Sequence, residues 1–523
     1  MRGDVGLITR SFGKVALFAA MAAFAVAVIF LTIELTSPAQ ALPSFARQTG
    51  QPCGTCHTDF PALTPFGRRF KLLGYTTGGG PYRTTPWASQ AGRDARAEYE
   101  NMMGYVKTLP APPTSEADKE YVPPVSMMAV VGLTHTQANL GDLIGAPPDP
   151  YSQNNNVVLS PFSAFWGGAI TDNIGAFAQV TYNAIGPGPS GDPFDRHTWT
   201  WDNTDVRYAN TAHFGPLDFI YGVTANNNPT VQDLWNTTPA WSFPYAVSNV
   251  FGLQNPGTAI EGAFAAHVAG VGAYTMINDL LYLEFTGYKT LPFSTQNNLG
   301  TDPFGAPGQL GSIAPYWRVA LEPHWGRNTF MVGAFGAQFN VHPWVDTSFA
   351  SFSSAVFPQT DRFTDYGFDT QYQYQGDNWW LTLRGSYIRE FQHLDATFFN
   401  QLGPNNNGLT NATDLLNTLK LQASFAYGAD NRVVFTAQYF NAWGTADAGL
   451  FGFDPVTNLP LTPATNGWTT EIAYIPFGAS KMVGWPWFNA RIGLQYTFYN
   501  KLNGTSVGAH DNNTLFLHAW FAM

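Results

Sequence analysis

Residues 379–390 read Trp-Trp-Leu-Thr-Leu-Arg-Gly-Ser-Tyr-Ile-Arg-Glu, and alternate positions differ in polarity. One set is mostly apolar and the other carries the polar and charged side chains: Trp379, Leu381, Leu383, Gly385 and Tyr387 against Trp380, Thr382, Arg384, Ser386, Ile388 and Glu390. Successive side chains of a β-strand point to opposite faces, so this stretch predicts a strand with one face for lipid and one for a polar lumen. Residues 432–439 and 491–498 repeat the pattern.

Segments of this kind recur from Val125 to the end of the chain. They are expected to start near Val125, Asn156, Asn173, Thr200, Leu217, Ile260, Leu280, Ile313, Asn328, Phe363, Asn378, Leu415, Asn431, Gly467, Trp487 and Asn513. The count predicts an all-β fold, an antiparallel transmembrane β-barrel of about 16 strands over residues 125–523. A soluble sandwich or propeller is the alternative, but it would have to bury the aromatic faces of nearly all strands in one shared core.

The predicted connections alternate in length. Short ones contain tight-turn residues, such as 171–173, 213–216, 277–279, 324–327, 375–377 and 428–430. Long ones lie between them, such as 225–259, 290–311, 393–413 and 442–466. Short periplasmic turns and long outer loops are typical of outer-membrane barrels. A barrel of about sixteen strands encloses a lumen that side chains alone do not fill, so it is either plugged or a pore.

The composition agrees with contact with outer-membrane lipid. Charged residues make up 12% of the chain and aromatic residues 15%, with 51 glycines. This is unusual for a soluble enzyme and typical of a barrel with an apolar outside and a polar inside. The formal net charge of -11 argues against nucleic-acid binding and is compatible with attracting cations.

The N-terminal residues 1–41 have the features of a signal peptide. Arg2, Arg10 and Lys14 precede an apolar run over 15–33, and small residues at 39–41 provide a processing site. The apolar run is also long enough to span a bilayer as an uncleaved anchor. Both interpretations predict export from the cytoplasm.

Both cysteines of the 523 residues lie in one unit, Cys53-Gly54-Thr55-Cys56-His57. Two thiols at this spacing can each add to a vinyl group of one haem, and the adjacent imidazole of His57 then reaches the iron as an axial ligand. We therefore expect one covalent haem c, bound by Cys53, Cys56 and His57. A C-x-x-C redox pair would leave His57 without a role, and a zinc site would need further ligands nearby.

The predicted haem segment, residues 42–80, is too short to bury a stable hydrophobic core unaided. A covalently attached haem would supply the cross-link that stabilises it. Residues 81–124 are rich in proline and charge and are interpreted as a linker or insert. Four cationic residues of the segment are candidates for pairing with haem propionates or for pinning the segment to acidic lumen residues, and solvation of a small charged domain explains them equally well: Arg47, Arg68, Arg69 and Lys71.

The residues around the motif extend the pattern. Ala-Leu-Pro-Ser-Phe-Ala-Arg-Gln-Thr-Gly at 41–50, Pro61-x-Leu63, Phe-Gly-Arg-Arg-Phe-Lys at 66–71, and the stretch 226–241 together resemble the fused monohaem cytochrome–porins of iron-oxidising bacteria. The resemblance implies a sixteen-stranded outer-membrane barrel with the haem segment inside. It further implies an Fe(II) oxidase function, in which electrons pass from extracellular Fe(II) to a periplasmic c-type cytochrome or another carrier. The spacer 82–124 is longer than the family pattern implies, and its role stays open.

The second axial ligand is not specified by the sequence, nor is the oligomeric state. Residues 42–101 hold no second histidine and no methionine, and the nearest candidates are Met102, Met103, Met127, Met128 and His135. Acidic residues expected in outer loops are candidate hard ligands for Fe(II), but solubilising loop charge is the better explanation because they form no tight cluster: Asp142, Asp149, Asp192, Asp195 and Asp202. Two other functions stay open, a haem-plugged porin for solutes and a haem enzyme with an open iron site.

Overall fold

A computed structural model describes residues 43–49, 51, 53–76, 123–140, 143, 154–182, 199–346, 351–352, 359–399, 409–428, 433–454, 457–477 and 487–523. The predicted signal peptide 1–41 and residues 81–122 of the predicted linker lie outside the described residues. So do Met102 and Met103, and the acidic residues Asp142, Asp149, Asp192 and Asp195.

Sixteen antiparallel strands form a closed barrel, because each long strand pairs with its neighbours in sequence and the last pairs with the first. The strands are β1 Val125–Thr136, β2 Asn155–Ala169, β3 Ile174–Tyr182, β4 Trp199–Phe214, β5 Leu217–Asn226, β6 Val268–Ile277, β7 Leu281–Thr290, β8 Ala314–Leu321, β9 Asn328–Asp346, β10 Asp361–Gln375, β11 Trp379–His393, β12 Thr413–Tyr427, β13 Val433–Gly444, β14 Thr465–Tyr474, β15 Asn489–Lys501 and β16 Thr514–Ala522. The predicted fold class is confirmed.

The two faces of each strand have the predicted polarity. On β11, Trp379 and Leu383 are 39% and 41% exposed on the outside, whereas Arg384, the residue after Leu383, is 6% exposed and faces the lumen. Apolar side chains such as Phe368 and Phe435 are exposed on the outside of other strands. This is the surface of a membrane-spanning, porin-like barrel of the outer-membrane kind. Among the helices that the structure describes, none is long and apolar enough to cross a membrane.

The connections alternate as predicted. Tight turns link β4 to β5 and β6 to β7, with Gly215, Asn278 and Asp279 at positive φ as such turns require. The connections at the opposite end of the barrel are longer, except that 475–488, between β14 and β15 at the tight-turn end, is also a long connection. We call these two ends the short-turn end and the long-loop end. The first residue of β1 and the last of β16 lie at the short-turn end.

One long connection folds into the barrel instead of outwards. The inner loop, residues 227–267 between β5 and β6, includes Leu234 and Trp235, neither of which is exposed. The predicted strand start at Ile260 is wrong: β6 begins at Val268, and Ala259–Ala263 form a helical turn. Ile260 and Phe264, four residues apart, pack into one apolar cluster, and this helical spacing competes with the alternating pattern that suggested a strand.

The helices are short. Of the helices that the structure describes, three lie in the N-terminal part of the chain: α1 Pro43–Thr49, α2 Cys53–Cys56 and α3 Pro65–Leu72. A two-stranded ribbon of His57–Asp59 and Ala62–Leu63 joins α2 to α3. Three more lie in the long loops: α4 Phe293–Asn298, α5 Asp395–Phe399 and α6 Ala448–Phe451. The N-terminal elements and the inner loop fill the lumen around Arg207 and Arg318, which are fully buried although they are lumen-facing wall residues.

Candidate functional site

The described residues between 43 and 76, here called the N-terminal segment, are anchored inside the barrel near its short-turn end. The backbone N–H of Ser44 donates to Ser126 Oγ at 3.0 Å, at the start of β1. Gln48 Oε1 accepts from the N–H of Ala169 at 3.0 Å, at the end of β2, and Gln48 Nε2 donates to the Tyr75 carbonyl at 3.0 Å. A single glutamine side chain thus joins both ends of the segment to the wall.

The Cys-x-x-Cys-His motif and α3 form one compact unit. Cys53 and Cys56 are half-buried, reduced thiols in the single turn of α2. Thr64 caps α3 by accepting from the Gly67 N–H at 3.1 Å, and its own N–H donates to the Cys56 carbonyl at 2.9 Å. Gly67 packs so closely on α2 that a Cβ at that position would lie 2.2 Å from the Cys56 carbonyl oxygen.

This close approach makes Gly67→Ala a sensitive test of the unit. The Cβ would collide with backbone, which cannot move aside as a flexible side chain can, so we expect α2 and α3 to separate at a cost of roughly 1–3 kcal/mol. Limited proteolysis of the folded barrel should then cut the N-terminal segment faster than in the unaltered protein. Gly252→Ala is the matched control, because the closest atom to its Cβ would be 3.6 Å away. Equal cutting of both variants would contradict the packing.

The imidazole of His57 is oriented by its own ribbon. Its Nδ1 lies 3.1 Å from the Pro61 carbonyl, and since a carbonyl only accepts, Nδ1 carries the proton and Nε2 keeps a free lone pair. The Phe60 ring packs edge-on at 5.1 Å between centroids. Burial lowers the pKa of His57 to about 4, so the ring is neutral near pH 7. A neutral imidazole with one nitrogen fixed by a carbonyl is the usual form of a metal-ligating histidine.

The environment of the thiols disfavours the redox-pair alternative. Burial raises the pKa of Cys53 to about 11 and that of Cys56 to about 12. Reactive C-x-x-C pairs depend on a lowered thiol pKa, because the thiolate is the nucleophile. In the part of the chain that the structure describes, no group of three or more His, Cys, Asp or Glu side chains is arranged to hold a metal ion.

A buried charge network ties the motif to the opposite side of the barrel from α3. Arg491 on β15 pairs with Asp59 of the ribbon and with Glu471 on β14. All three side chains are at most 5% exposed. The Phe60 ring packs edge-on against Trp520 of β16, with 4.8 Å between centroids. The alternation of β15 predicts that Arg491 faces the lumen, but its pairing with Asp59 was not predicted.

Three of the four predicted cationic residues hold α3 in place, and two of them do so as the pinning alternative predicts. Arg68 pairs with Glu322 at 2.9 Å, beyond the end of β8, and also donates to Gln371 and Gln373 of β10 at 3.1 and 2.8 Å. Arg69 pairs with Asp279 in a short turn. Lys71 Nζ donates to two inner-loop carbonyls, those of residues 231 and 233, at 2.6 and 2.8 Å.

Arg47, the fourth, lies near the start of β1. It donates to the Val125 carbonyl, and its guanidinium stacks on the Trp487 ring at 4.5 Å. Neither partner is acidic. Asp202, predicted in an outer loop, lies instead within β4, where it accepts from the Thr181 hydroxyl at 2.7 Å. The prediction of a loop position for Asp202 is therefore wrong, because the strand begins at Trp199, close to its predicted start near Thr200.

The three axial-ligand candidates on β1 differ in whether their side chains face the lumen or the outside of the barrel. Met127 is 43% exposed on the outside of the barrel. Met128 is half-buried on the lumen side and packs against buried residues of the N-terminal segment. His135 lies on the outward-facing side near the long-loop end, where its Nδ1 contacts Asn155 at 2.9 Å. Of the three described candidates, Met128 alone faces the lumen.

No protein-family model matches the chain, and no curated protein matches it either. Solved structures similar to it include a Salmonella typhi OmpF complex with daunomycin, at 12% identity, 76% of this chain, 97% of that chain and a TM-score of 0.42. The outer membrane channel DcaP of Acinetobacter baumannii shares 10% identity over 76% of this chain and 96% of that chain, with a TM-score of 0.40. Pseudomonas putida OprB shares 11% identity over 85% of this chain and 98% of that chain, with a TM-score of 0.39. The barrel architecture rests on the strand pairing and not on these similarities.

Proposed function

We propose that this chain is an outer-membrane electron-transfer protein that holds one covalent haem c inside its barrel. In this proposal electrons pass from extracellular Fe(II) to a periplasmic c-type cytochrome or another periplasmic carrier. The observation that carries the proposal is a Cys-x-x-Cys-His motif, with its histidine already oriented by Pro61, held inside a closed membrane barrel. A redox centre in that position can be approached from both sides of a membrane.

Cys53 and Cys56 would form the two thioether bonds, and His57 Nε2 would bind the iron. The haem, when bound, supplies a one-electron redox centre. The protein keeps His57 neutral by burial and orients its ring through Pro61 and Phe60. The same burial holds both thiols in a water-poor setting, and the buried pair Asp59–Arg491 fixes the ribbon that carries His57.

The position of the N-terminal segment supports a periplasmic exit for the electron. Short turns face the periplasm in barrels of this type. Arg69 pairs with Asp279 in such a turn, and Ser44 contacts the first turn-proximal residues of β1. The motif would therefore lie close to the periplasmic mouth, where a soluble electron carrier has access.

The choice of Fe(II) as donor follows from the resemblance of the haem segment to the cytochrome–porins and from the chemistry of iron. Fe(III) precipitates near neutral pH, so oxidising iron outside and moving only the electron keeps the mineral product out of the cell. The net charge of -11 is compatible with attracting a divalent cation.

The optical spectrum of the detergent-extracted protein, taken before and after anaerobic addition of Fe(II), tests this function. Sharp reduced c-type bands after Fe(II) would support both the haem and its reduction by iron. Bands that form with dithionite but not with Fe(II) would support the haem assignment and reject Fe(II) as the electron donor. The absence of any haem bands would reject the proposal.

The solute-porin alternative makes a different prediction, which concerns ion flow. The segment and the inner loop contact walls on opposite sides of the lumen, through Arg68–Glu322 on one side and Asp59–Arg491 on the other. We therefore expect little single-channel conductance from the full chain in planar bilayers. Deleting residues 43–76 should raise the conductance severalfold, because sixteen strands enclose an aqueous lumen. Equal conductance of the two proteins would favour the porin.

A further inference from the structure

We propose that the thioether sulfur of Met128, on the barrel wall, is the second axial ligand of the haem. This inference rests on the proposed haem attachment through Cys53, Cys56 and His57. It would make the haem site a joint product of the N-terminal segment and the barrel, complete only when the segment is docked. Residues 43–76 contain one histidine, His57, and no methionine, so a second protein ligand of the usual kinds has to come from elsewhere in the chain.

Met128 has the right orientation. It lies on the lumen face of β1 between Ser126 and Val130, each 2% exposed, while the adjacent Met127 is 43% exposed on the opposite face. Ser126 contacts the N-terminal segment directly, through the N–H of Ser44. The sulfur of Met128 therefore faces the space that the segment occupies.

Strand register places Met128 at the level of the motif. The Cys53 thiol is hydrogen-bonded to the side chain of Asn489, at the start of β15. Asn489 pairs with Ala522, and Ala522 pairs with Met128, so the three residues form one row across β15, β16 and β1. With about 4.8 Å between neighbouring strands, Met128 lies about 10 Å along this row from the partner of Cys53.

The packing around Met128 connects it to the same side of the segment as His57. Met128 packs against a cluster of Val130, Ala246, Phe516 and Trp520, and Phe60 packs against the same cluster. The Phe60 ring in turn lies 5.1 Å from the His57 ring. Met128 also packs against a second cluster with Phe70 and Phe45 of the segment. An apolar setting of this kind suits a thioether ligand, which carries no charge.

His518 is the main competitor among the described residues. It faces the lumen on β16, is 1% exposed, and neither ring nitrogen has a hydrogen-bond partner in the structure. Its Nε2 lies 3.7 Å from the Glu471 carboxylate. However, His518 pairs with Gly132, four residues along the strands from the row of Ala522 and Met128. At about 3.4 Å per residue it lies about 14 Å further towards the long-loop end.

The first experiment uses the unaltered, full-length protein with its haem. Haem content is measured by the pyridine haemochrome assay, and axial ligation by near-infrared magnetic circular dichroism and electron paramagnetic resonance of the oxidised form. We expect a low-spin centre with histidine–methionine ligation. A bis-histidine spectrum would overturn Met128 and point to His518, and a high-spin spectrum would overturn any second protein ligand. Absence of haem would instead overturn the proposed function itself.

The second experiment compares Met128→Leu with Met127→Leu, a matched control because the two methionines are adjacent and face opposite sides of the wall. We expect Met128→Leu to keep its haem content but to become high-spin, and to bind CO when reduced, which the unaltered protein does not. Met127→Leu should match the unaltered protein in all three readouts. A low-spin Met128→Leu protein that rejects CO would overturn the proposal. Met128→His should restore a low-spin centre, now with a bis-histidine spectrum and a lower reduction potential.

Discussion

If the proposed function is right, replacing His57 by alanine is expected to abolish reduction of the haem by Fe(II) while the barrel stays folded. His57 is the histidine within the motif, and its Nε2 is left free by the Nδ1 contact with Pro61 at 3.1 Å. Cys53 and Cys56 remain in the variant, so covalent attachment is retained in part. The variant would lack the proposed proximal ligand of the iron, and with it the low-spin spectrum. The measurement is the optical spectrum after anaerobic Fe(II), normalised to haem content.

His213→Ala is the matched control for this variant. His213 is 78% exposed and contacts Asp218 at the short-turn end. The substitution therefore removes an imidazole without affecting the N-terminal segment. Heat-dependent mobility in detergent gels reports whether the barrel is folded in both variants. Full reduction of the His57→Ala protein by Fe(II) would contradict the role of His57, and loss of reduction in His213→Ala would assign the effect to something other than ligation.

The barrel was predictable because its signal is local and repeated. In β11 the alternation of lipid-facing Trp379 and Leu383 with lumen-facing Arg384 can be read from adjacent residues, since side-chain direction in a strand depends only on sequence position. The prediction failed at Ile260 for the opposite reason. That turn is held by distant wall residues: the N–H of Ala259 donates to Glu390, and that of Ile260 donates to Asp365 at 2.7 Å. The alternation of neighbouring residues does not predict contacts with residues that are distant in the sequence.

The site divides in the same way. Cys53, Cys56 and His57 form a motif whose chemistry follows from spacing, so the sequence is enough to propose them. The partners that hold the motif are remote in sequence: Asp59 and Arg491 are 432 residues apart. Alternation within β1 puts Met128 on the polar face, with Ser126 and Thr134. The pairing of β16 with β1, which places Met128 beside Ala522 and at the level of the motif, arises only when the sheet closes.

Arg491→Ala is expected to release the N-terminal segment from the wall. The guanidinium pairs with Asp59 and Glu471, and removing it leaves two buried carboxyl groups without their cation. Breaking a buried pair in this way costs roughly 3–5 kcal/mol, because the remaining charges have lost their partner but stay out of water. Asp59 can escape by leaving the lumen with its ribbon, whereas Glu471 is fixed on β14. The cost should therefore appear as undocking of the segment, not as loss of the barrel.

Hydrogen–deuterium exchange separates these outcomes. In Arg491→Ala, amides of residues 53–72 should exchange much faster than in the unaltered protein, while those of β10 and β11 should not change. Arg327→Ala is the control, since its pair with Asp377 is exposed, with side chains 36% and 52% accessible, and pairs of this kind contribute about 1 kcal/mol or less. Unchanged exchange of the segment would mean that Asp59–Arg491 does not hold it. Faster exchange throughout the barrel would mean that Arg491 instead stabilises the wall through Glu471.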